Sequence, residues 1–470
     1  MRIVIEGNFS PTGSYGIVNL SLARALVQRG HAVALVGLDV DDARLAELAR
    51  PPFGHGPSLG IGEPGESPDA RIRQVWPPNW ARRGPERLIV VQPWEFGSVP
   101  LSWLDALAEV DALWVPSEYV KRGYIQSGVD PSKVWVVPNG VDIDDAAPRT
   151  RARDETTQLL FVGGTIFRKG IDLLVAALDS LDDATLARTS LVVKDVGAES
   201  FYVNQSLLGE AMSSHPRVET ITVVERRHLE RRAVLELIAN ADVLVHPYRA
   251  EGFGLPVLEA MALGTPVIHT RGGATNEFCG PDESFLVPSS LHVASSPLVG
   301  SWVLADQCYW YEPDVGELGR LLGAVVNGDV ATAPLALAAA RRAREWSWAG
   351  AALAAEAALE GLCAGSRPQD SLTRLVDDVR RVLVDDAPPA PVLARLAAVG
   401  DLGTAWRVAR TVERRRDPRE RVALADARVR LAGLVATTPD VWSGGPYRAL
   451  SAAHDRERAT RSGSFAYAHD

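Results

Sequence analysis

Residues 241–264 constrain the fold of this chain more than any other stretch. The apolar run Ala241-Asp242-Val243-Leu244-Val245-His246-Pro247 reads as a buried strand, and a helical pattern through Leu258, Met261, Ala262 and Leu263 stops at Gly264. Between them lies Glu251-Gly252-Phe253-Gly254-Leu255-Pro256-Val257-Leu258-Glu259, two glutamates with seven residues between them around a glycine-bearing turn that opens the helix. Backbone N–H groups at a helix start point outward unpaired and favour an anion, typically a phosphate. Glu259, inside that helix, is placed to accept hydrogen bonds from sugar hydroxyls. The stretch therefore reads as half of a site for a phosphate-bearing sugar compound.

Strand and helix alternate over residues 1–140. Arg2–Glu6 leads into a loop ending Gly13-Ser14-Tyr15-Gly16, then a helix with Val18, Leu22, Leu26 and Val27 roughly on one face, then the strand Val33–Gly37. This order opens a Rossmann-like half. The Gly13-x-x-Gly16 spacing is not the G-x-G-x-x-G that a nicotinamide dinucleotide needs, so the loop is either a plain turn or a place where the backbone nears a phosphate or sugar. Further strands are expected at Leu88–Gln92, Ala112–Pro116 and Val134–Pro138, with Ser117 as an N-cap. Residues 50–87 carry Arg71, Arg73, Trp76, Trp80, Arg82, Arg83 and Arg87 with little periodicity. They are open to two readings: an exposed Arg/Trp loop that cradles an acceptor or touches a membrane surface, or a partly ordered excursion pinned by its tryptophans.

The polar segment Arg149–Thr157 is the expected hinge. A second alternation follows: Leu159–Val162 into Gly163-Gly164, Arg168-Lys169-Gly170 into a helix, then strands at Ser190–Lys194, Val218–Val224 and Pro266–His269 and a helix over Leu229–Ala239. Ligands of open α/β sheets gather outside the carboxyl ends of strands. Gly13–Gly16, Glu95, Lys169, Lys194 and Glu251 all sit at such ends, which places a ligand in a cleft between two domains. An Ala-rich helix from Glu345-Trp346-Ser347-Trp348 to about Leu362 follows, and then a helical appendage over 366–470 carrying Arg414-Arg415-Arg416.

Charge bounds the ligand class. The net charge is −10, and residues 366–470 hold 18 Arg against 14 acidic residues, leaving the rest of the chain at −14. A body that acidic repels nucleic acid, so attraction to a diphosphate must be local. Lysine is confined to Lys121, Lys133, Lys169 and Lys194. Cys279, Cys308 and Cys363 offer neither a disulfide framework nor metal-ligand spacing. The amino terminus is charged too soon for a signal peptide, and no apolar run approaches the roughly 20 residues of a membrane helix. A cytoplasmic protein, with peripheral membrane contact open, is the expectation.

Five pieces in collinear order resemble the large retaining family-four glycosyltransferases of the GT-B fold: Val115-Pro116-Ser117-Glu118, Pro138-Asn139-Gly140-Val141-Asp142, Phe161-Val162-Gly163-Gly164 to Arg168-Lys169-Gly170, Glu251 to Glu259, and Arg344-Glu345-Trp346-Ser347-Trp348. The resemblance covers roughly residues 1–362. It implies an α/β fold of two Rossmann-like domains across a cleft: 1–150 for the acceptor, 151–345 for the nucleotide-sugar donor, a crossover helix over 346–365 and the helical extension 366–470. It further implies that Glu259 grips the ribose hydroxyls and that Lys169 with Arg168 clamps the diphosphate. The backbone of Phe253, Gly254, Leu255 and Val257 would hold donor sugar and phosphates, Glu251 would face the donor sugar, Gly16 would belong to the loop closing over the diphosphate, and the base would lie near Val224. Glu251 is also readable as a cap on the helix dipole, and Lys194 as either a site contact or a sheet-end surface charge.

Two departures stand out. Gly164 occupies the place where the family has an arginine, and Gln92-Pro93-Trp94-Glu95-Phe96 replaces a region where the family often has a histidine. Glu95 is therefore either an acceptor-facing substitute or structural. There is no D-x-D motif near the site, so no metal and no cofactor beyond the nucleotide-diphosphate sugar is expected. No carboxylate pair suits double displacement, and the resemblance implies retention by front-face attack on the donor by a sugar, lipid-linked or small-molecule hydroxyl. An epimerase or phosphorylase on the same fold, or a non-catalytic sugar-nucleotide-binding protein whose helical tail binds a partner or a second copy, are the alternatives.

Overall fold

The computed structural model describes residues 1–10, 13–50, 59–142, 156–196 and 205–363. Met1–Glu360 form one compact unit and Gly361–Asp470 a second. The expected helices of the 366–470 appendage lie outside the described residues.

The N-terminal half runs β1 (Arg2–Gly7), α1 (Ser14–Gln28), β2 (Ala32–Gly37), α2 (Asp42–Ala49), β3 (Gly60–Ile61), β4 (Ala70–Gln74) and β5 (Arg87–Val91). It continues with α3 (Leu101–Ala106), β6 (Ala112–Val115), α4 (Glu118–Gln126) and β7 (Val134–Val136). The seven strands form one sheet in the order β3-β2-β1-β4-β5-β6-β7, paired in parallel. Buried on both faces, these strands are near-continuous apolar runs such as Leu88-Ile89-Val90-Val91.

β4 corrects the reading of residues 50–87. Arg71 and Arg73 lie in a central strand, almost fully buried, rather than in an exposed loop. Alternation puts both on the face that carries Glu6 of β1. Arg73 donates twice to Glu6 Oε2, at 3.0 and 2.9 Å, while Arg71 reaches Glu86 at 2.7 Å and Glu63 at 2.9 and 2.8 Å. Trp76 and Trp80 pack against buried Trp103, with ring centroids 6.2 and 5.6 Å away. Arg83 pairs with Glu6, Arg82 pairs with Asp111, and Arg87 opens β5. The Arg/Trp loop thereby shrinks to residues 75–86, where Arg82 and Arg83 are the exposed arginines.

The second half runs β8 (Thr157–Gly163), α5 (Ile171–Asp179), α6 (Asp183–Ala187), β9 (Thr189–Asp195), α7 (Leu208–Ser214), α8 (Pro216–Glu219) and β10 (Thr222–Glu225). Then come α9 (Arg231–Asn240), β11 (Val243–His246), α10 (Leu255–Leu263), β12 (Val267–Thr270) and β13 (Phe285–Val287). Its parallel sheet has the order β10-β9-β8-β11-β12-β13. Val218, expected in a strand, lies in α8 because Pro216 opens a helical turn there.

Two antiparallel ribbons leave the second sheet after β13. β14 (Ser289–Val293) pairs with β17 (Tyr309–Pro313), and β15 (Leu298–Val299) pairs with β16 (Trp302–Val303). This arm reaches the N-terminal half. Gly97 and Pro100 bridge to Cys308 and Leu304, and Trp302 packs on Trp76 and Trp103. Helices α11 (Val315–Asn327), α12 (Ala333–Ala343) and α13 (Trp348–Cys363) complete the chain as described. α13 returns to the first half, where Glu356 receives Arg29 at 2.5 Å and His31 at 2.8 Å. Among the described residues no helix is long and apolar enough to cross a membrane.

Candidate active site

The site is built where β8 and β11 of the second half end opposite β5 and β6 of the first. After β8 the chain makes a short turn, Phe167–Lys169, closed by Gly170 with φ +72°. A Cβ on Gly170 would lie 2.0 Å from the carbonyl oxygen of Pro247, so only glycine lets the turn press against the segment that follows β11. That contact is sealed by backbone: Arg249 and Ala250 N–H donate to the Arg168 carbonyl at 2.8 and 3.2 Å. Arg249 then locks the turn from below. Its buried guanidinium donates to the Phe167 carbonyl at 2.9 Å, to both oxygens of Asp172 at 2.9 and 2.7 Å, and to Glu312 at 2.9 Å. It also lies 4.1 Å from the Phe167 ring centroid.

With its backbone fixed, the turn aims Arg168 and Lys169 at carboxylates. Lys169 Nζ donates to Glu251 Oε2. Arg168 stands 3.7 Å from the same oxygen and, across to the first half, 3.4 Å from Glu95 Oε1. His246, the last residue of β11 and fully buried, faces Glu251 Oε2 through Nε2 at 3.4 Å. Burial alone would raise the Glu251 carboxyl, but Lys169, the His246 hydrogen bond and Arg168 outweigh it and hold it well below the usual carboxylate range. Burial lowers both the Lys169 ammonium and the His246 imidazole, with Glu251 opposing in each case. Glu251 is thus an ionised acceptor rather than a proton donor at neutral pH, and His246 is neutral. The four residues read as catalytic, Glu251, Lys169, Arg168 and Glu95, come together.

The turn after Glu251 is equally constrained. Gly254, with φ +98°, caps α10, and a Cβ there would meet Thr275 Cγ2 at 2.3 Å. Val257 N–H is spent on the Gly254 carbonyl at 2.9 Å, and Pro256 has none to offer. The Phe253 side chain turns into the protein, packing on Phe278 and Trp346 with centroids at 5.0 and 5.9 Å. Leu255 and Val257 are buried as well. The N-terminus of α4 touches this turn from the first half. Ser117 caps Val120 N–H at 3.2 Å and also donates to the Gly252 carbonyl at 2.9 Å, while Glu277 accepts from Glu118 and Tyr119 N–H at 3.0 and 2.7 Å.

The remaining candidates lie further out along the second sheet. Glu259 is buried in α10 and accepts from Arg231 at 2.7 Å; burial raises its carboxyl, with Arg231 opposing. Lys194 is buried, not a sheet-end surface charge: its ammonium donates to the carbonyls of Asp195 at 3.0 Å and Glu225 at 3.4 Å, and burial lowers it. Val224 is half-buried in edge strand β10, next in register to that Glu225. Gly16 lies in the first turn of α1, where a Cβ would fall 2.1 Å from the Ser10 carbonyl oxygen, so its need for glycine is one of close packing.

The comparisons bear on this second half most directly. Residues 142–296 match the model of the family described as glycosyl transferases group 1. That segment belongs to this family. It contains Arg168, Lys169, Glu251 and Glu259, while Glu95 lies outside it. A D-inositol 3-phosphate glycosyltransferase of Geodermatophilus obscurus is 36% identical over 185 residues, 36% of this chain and 39% of that protein. An MMP alpha-(1->4)-mannosyltransferase of Mycolicibacterium hassiacum is 32% identical over 154 residues, 33% and 35% of the two chains. The chain spans under two fifths of the length of these relatives. Among solved structures, sucrose-phosphate synthase from Thermosynechococcus elongatus superposes with a TM-score of 0.57 at 16% identity, over 78% of this chain and all of that one. Anabaena HepE in complex with UDP and glucose gives 0.55 at 14%, over 76% and 99%. At such identities the likeness is one of fold: two Rossmann-like halves in the GT-B arrangement.

Three contributors escaped sequence reasoning. Arg249 and His246 flank the glutamate stretch but carry no motif of their own. Glu277 meets α4 only through tertiary structure. A signal existed for His246 alone, as a polar residue ending an otherwise apolar strand.

Proposed function

We propose that this chain is a glycosyltransferase that moves a sugar from a nucleotide-diphosphate sugar to a hydroxyl acceptor, with retention of anomeric configuration and without a metal. The observation that carries this reading is the convergence of Arg168 and Lys169 on Glu251, with Glu95 arriving from the opposite half. Two cations on a glycine-closed turn are pre-positioned for a diphosphate, whose negative charge grows as the glycosidic bond breaks. In the free protein the carboxylates satisfy these cations, and a bound diphosphate takes their place. Glu251 holds no proton at neutral pH, so it serves the donor sugar by charge and hydrogen bonding. The acceptor's proton then passes to the departing phosphate on the same face. Glu259 would accept the ribose hydroxyls, exchanging its bond to Arg231 for them, and the base would lie beside Val224. The acceptor would enter from the side of Glu95.

The test is Lys169→Ala against donors differing in base and sugar. Turnover should fall by about 10²–10³-fold, as loss of one preorganised charge contact does, and chelators should leave wild-type turnover intact. Near-wild-type rates in the variant would sink the diphosphate clamp. An inverted product would sink retention, and loss of turnover in chelator that added divalent metal restores would sink metal independence.

A further inference from the structure

The arm does more than join the two halves. In β14–β17 the cross-strand pairs are Ser290 with Glu312, Leu291 with Tyr311, His292 with Trp310 and Val293 with Tyr309. Side chains alternate along each strand, so His292, Trp310 and Glu312 share one face, and Tyr311 turns the other face into the core. On the first face the His292 ring stacks on Trp310 at 4.4 Å and 27°. Trp310 in turn meets Phe167 edge-to-face at 5.4 Å and 88°. Phe167 is 40% exposed although the Arg249 guanidinium covers part of it, and His292 is exposed too. Trp310 Nε1 donates to Glu312 at 2.7 Å, so the row is bordered by a carboxylate and a guanidinium.

The row stands beside the site. Phe167 directly precedes Arg168, which reaches Glu95. The same ribbon holds the Glu95 loop, because Tyr309 N–H donates to the Phe96 carbonyl at 3.3 Å and Ser98 Oγ to the Gln307 carbonyl at 2.9 Å.

We propose that Phe167, Trp310 and His292 form a subsite for a sugar ring of the acceptor; the acceptor part of this rests on the glycosyl-transfer reading above. The chemistry fits one class of ligand. Pyranose rings present a face of weakly positive C–H groups to the negative face of an aromatic ring, and their hydroxyls need a polar partner at the rim, which the partly exposed carboxylate of Glu312 supplies here. Burying such a ring beside Arg168 would bring the next hydroxyl of a glycan toward the junction of Arg168 and Glu95. A bound donor engages Lys169 and Glu251, which leaves the row to the other substrate.

The experiment uses the full chain and ligand-observed NMR with methyl α- and β-glycopyranosides of glucose, galactose and mannose. At least one should bind the wild type and bind Trp310→Ala about tenfold more weakly, the scale of a lost aromatic anchor. His292→Ala, at an exposed position, should weaken it about threefold, and Trp310→Phe should recover part of the loss. Uridine and guanosine diphosphate binding, followed in parallel, should be the same in all variants. If no glycoside binds the wild type, or if His292→Ala and Trp310→Phe both bind as the wild type does, the subsite is wrong. Failure of uridine, guanosine, adenosine and thymidine diphosphates alike to bind the wild type would instead remove the donor reading and leave a sugar-binding row standing.

Discussion

Arg249 shows how one residue places the charged groups of Arg168 and Lys169 through hydrogen bonds to the backbone of their turn. It is 5% exposed and bonded to Asp172, Glu312 and the Phe167 carbonyl, so it joins the start of α5, the arm and the Phe167–Lys169 turn. Burial lowers its guanidinium, but the two carboxylates more than restore it. Arg249→Ala should cost about 2–4 kcal/mol, somewhat less than the roughly 3–5 kcal/mol for breaking a fully buried pair, because Asp172 and Glu312 are partly exposed. It should also lower kcat more than it raises the donor KM, since the turn would lose its brace while its side chains remain. Arg249→Lys should recover little, because an ammonium cannot span the fork between Asp172 and Glu312. Denaturation midpoints and steady-state kinetics of both variants decide this; a lysine variant as stable and active as wild type would show that charge alone suffices. Glu251, Lys169 and Arg168 were all legible in the sequence, because glycines and strand ends mark their places. Arg249 was not, because an arginine after a strand looks the same whether it meets water or two buried carboxylates.

At the scale of elements the same ambiguity hid β4. Its run Ala70-Arg71-Ile72-Arg73-Gln74 alternates as a strand should, yet within the aperiodic 50–87 segment its arginines read as loop residues. Glu6 and Glu86 make them core residues instead, and nothing in a linear sequence pairs them. The strands β1, β2, β5 to β9, β11 and β12 were legible from their apolar runs, β10 only in the second half of the run Val218–Val224, and β3 and β13 went unread. The arm over residues 289–313 went unread: its strands are short, and its purpose is contact with a distant half. That contact makes a prediction. Gly97 has φ +78°, and a Cβ there would lie 2.3 Å from the Tyr309 ring. Gly97→Ala should therefore push β17 from the Glu95 loop, destabilising the protein by at least about 1–2 kcal/mol from the backbone conformation alone. Limited proteolysis should then cut first between residues 294 and 308. Unchanged resistance across that segment would mean that the bridge to Cys308 does not hold the arm.

For the whole molecule, the second sheet carries an acid-sensitive pair. His246 and His269 are in register on β11 and β12, both fully buried, with the Tyr248 ring 5.5 Å from one and 6.4 Å from the other. Burial lowers both imidazoles, that of His269 to about 3, where neighbouring His246 adds to the effect. Their ordinary value is 6.5. The unfolded chain therefore takes up these protons before the folded one does. The stability contributed by the neutral rings is fully present above pH 6.5 and drains away as pH falls below it. His269 should cost about 1 kcal/mol between pH 6.5 and 5.5, and His246 adds to the loss in the same direction. Glu259 and Glu277, raised by burial, oppose this only as pH approaches their own values above 4.5. Chemical denaturation between pH 7.5 and 5.5 should thus show a steady loss. His269→Gln, which keeps a partner for Ser284 but cannot titrate, should be weaker at pH 7.5 and lose about 1 kcal/mol less over the same interval. If the variant and the wild type lose stability in parallel, His269 is not among the groups that set the acid limit.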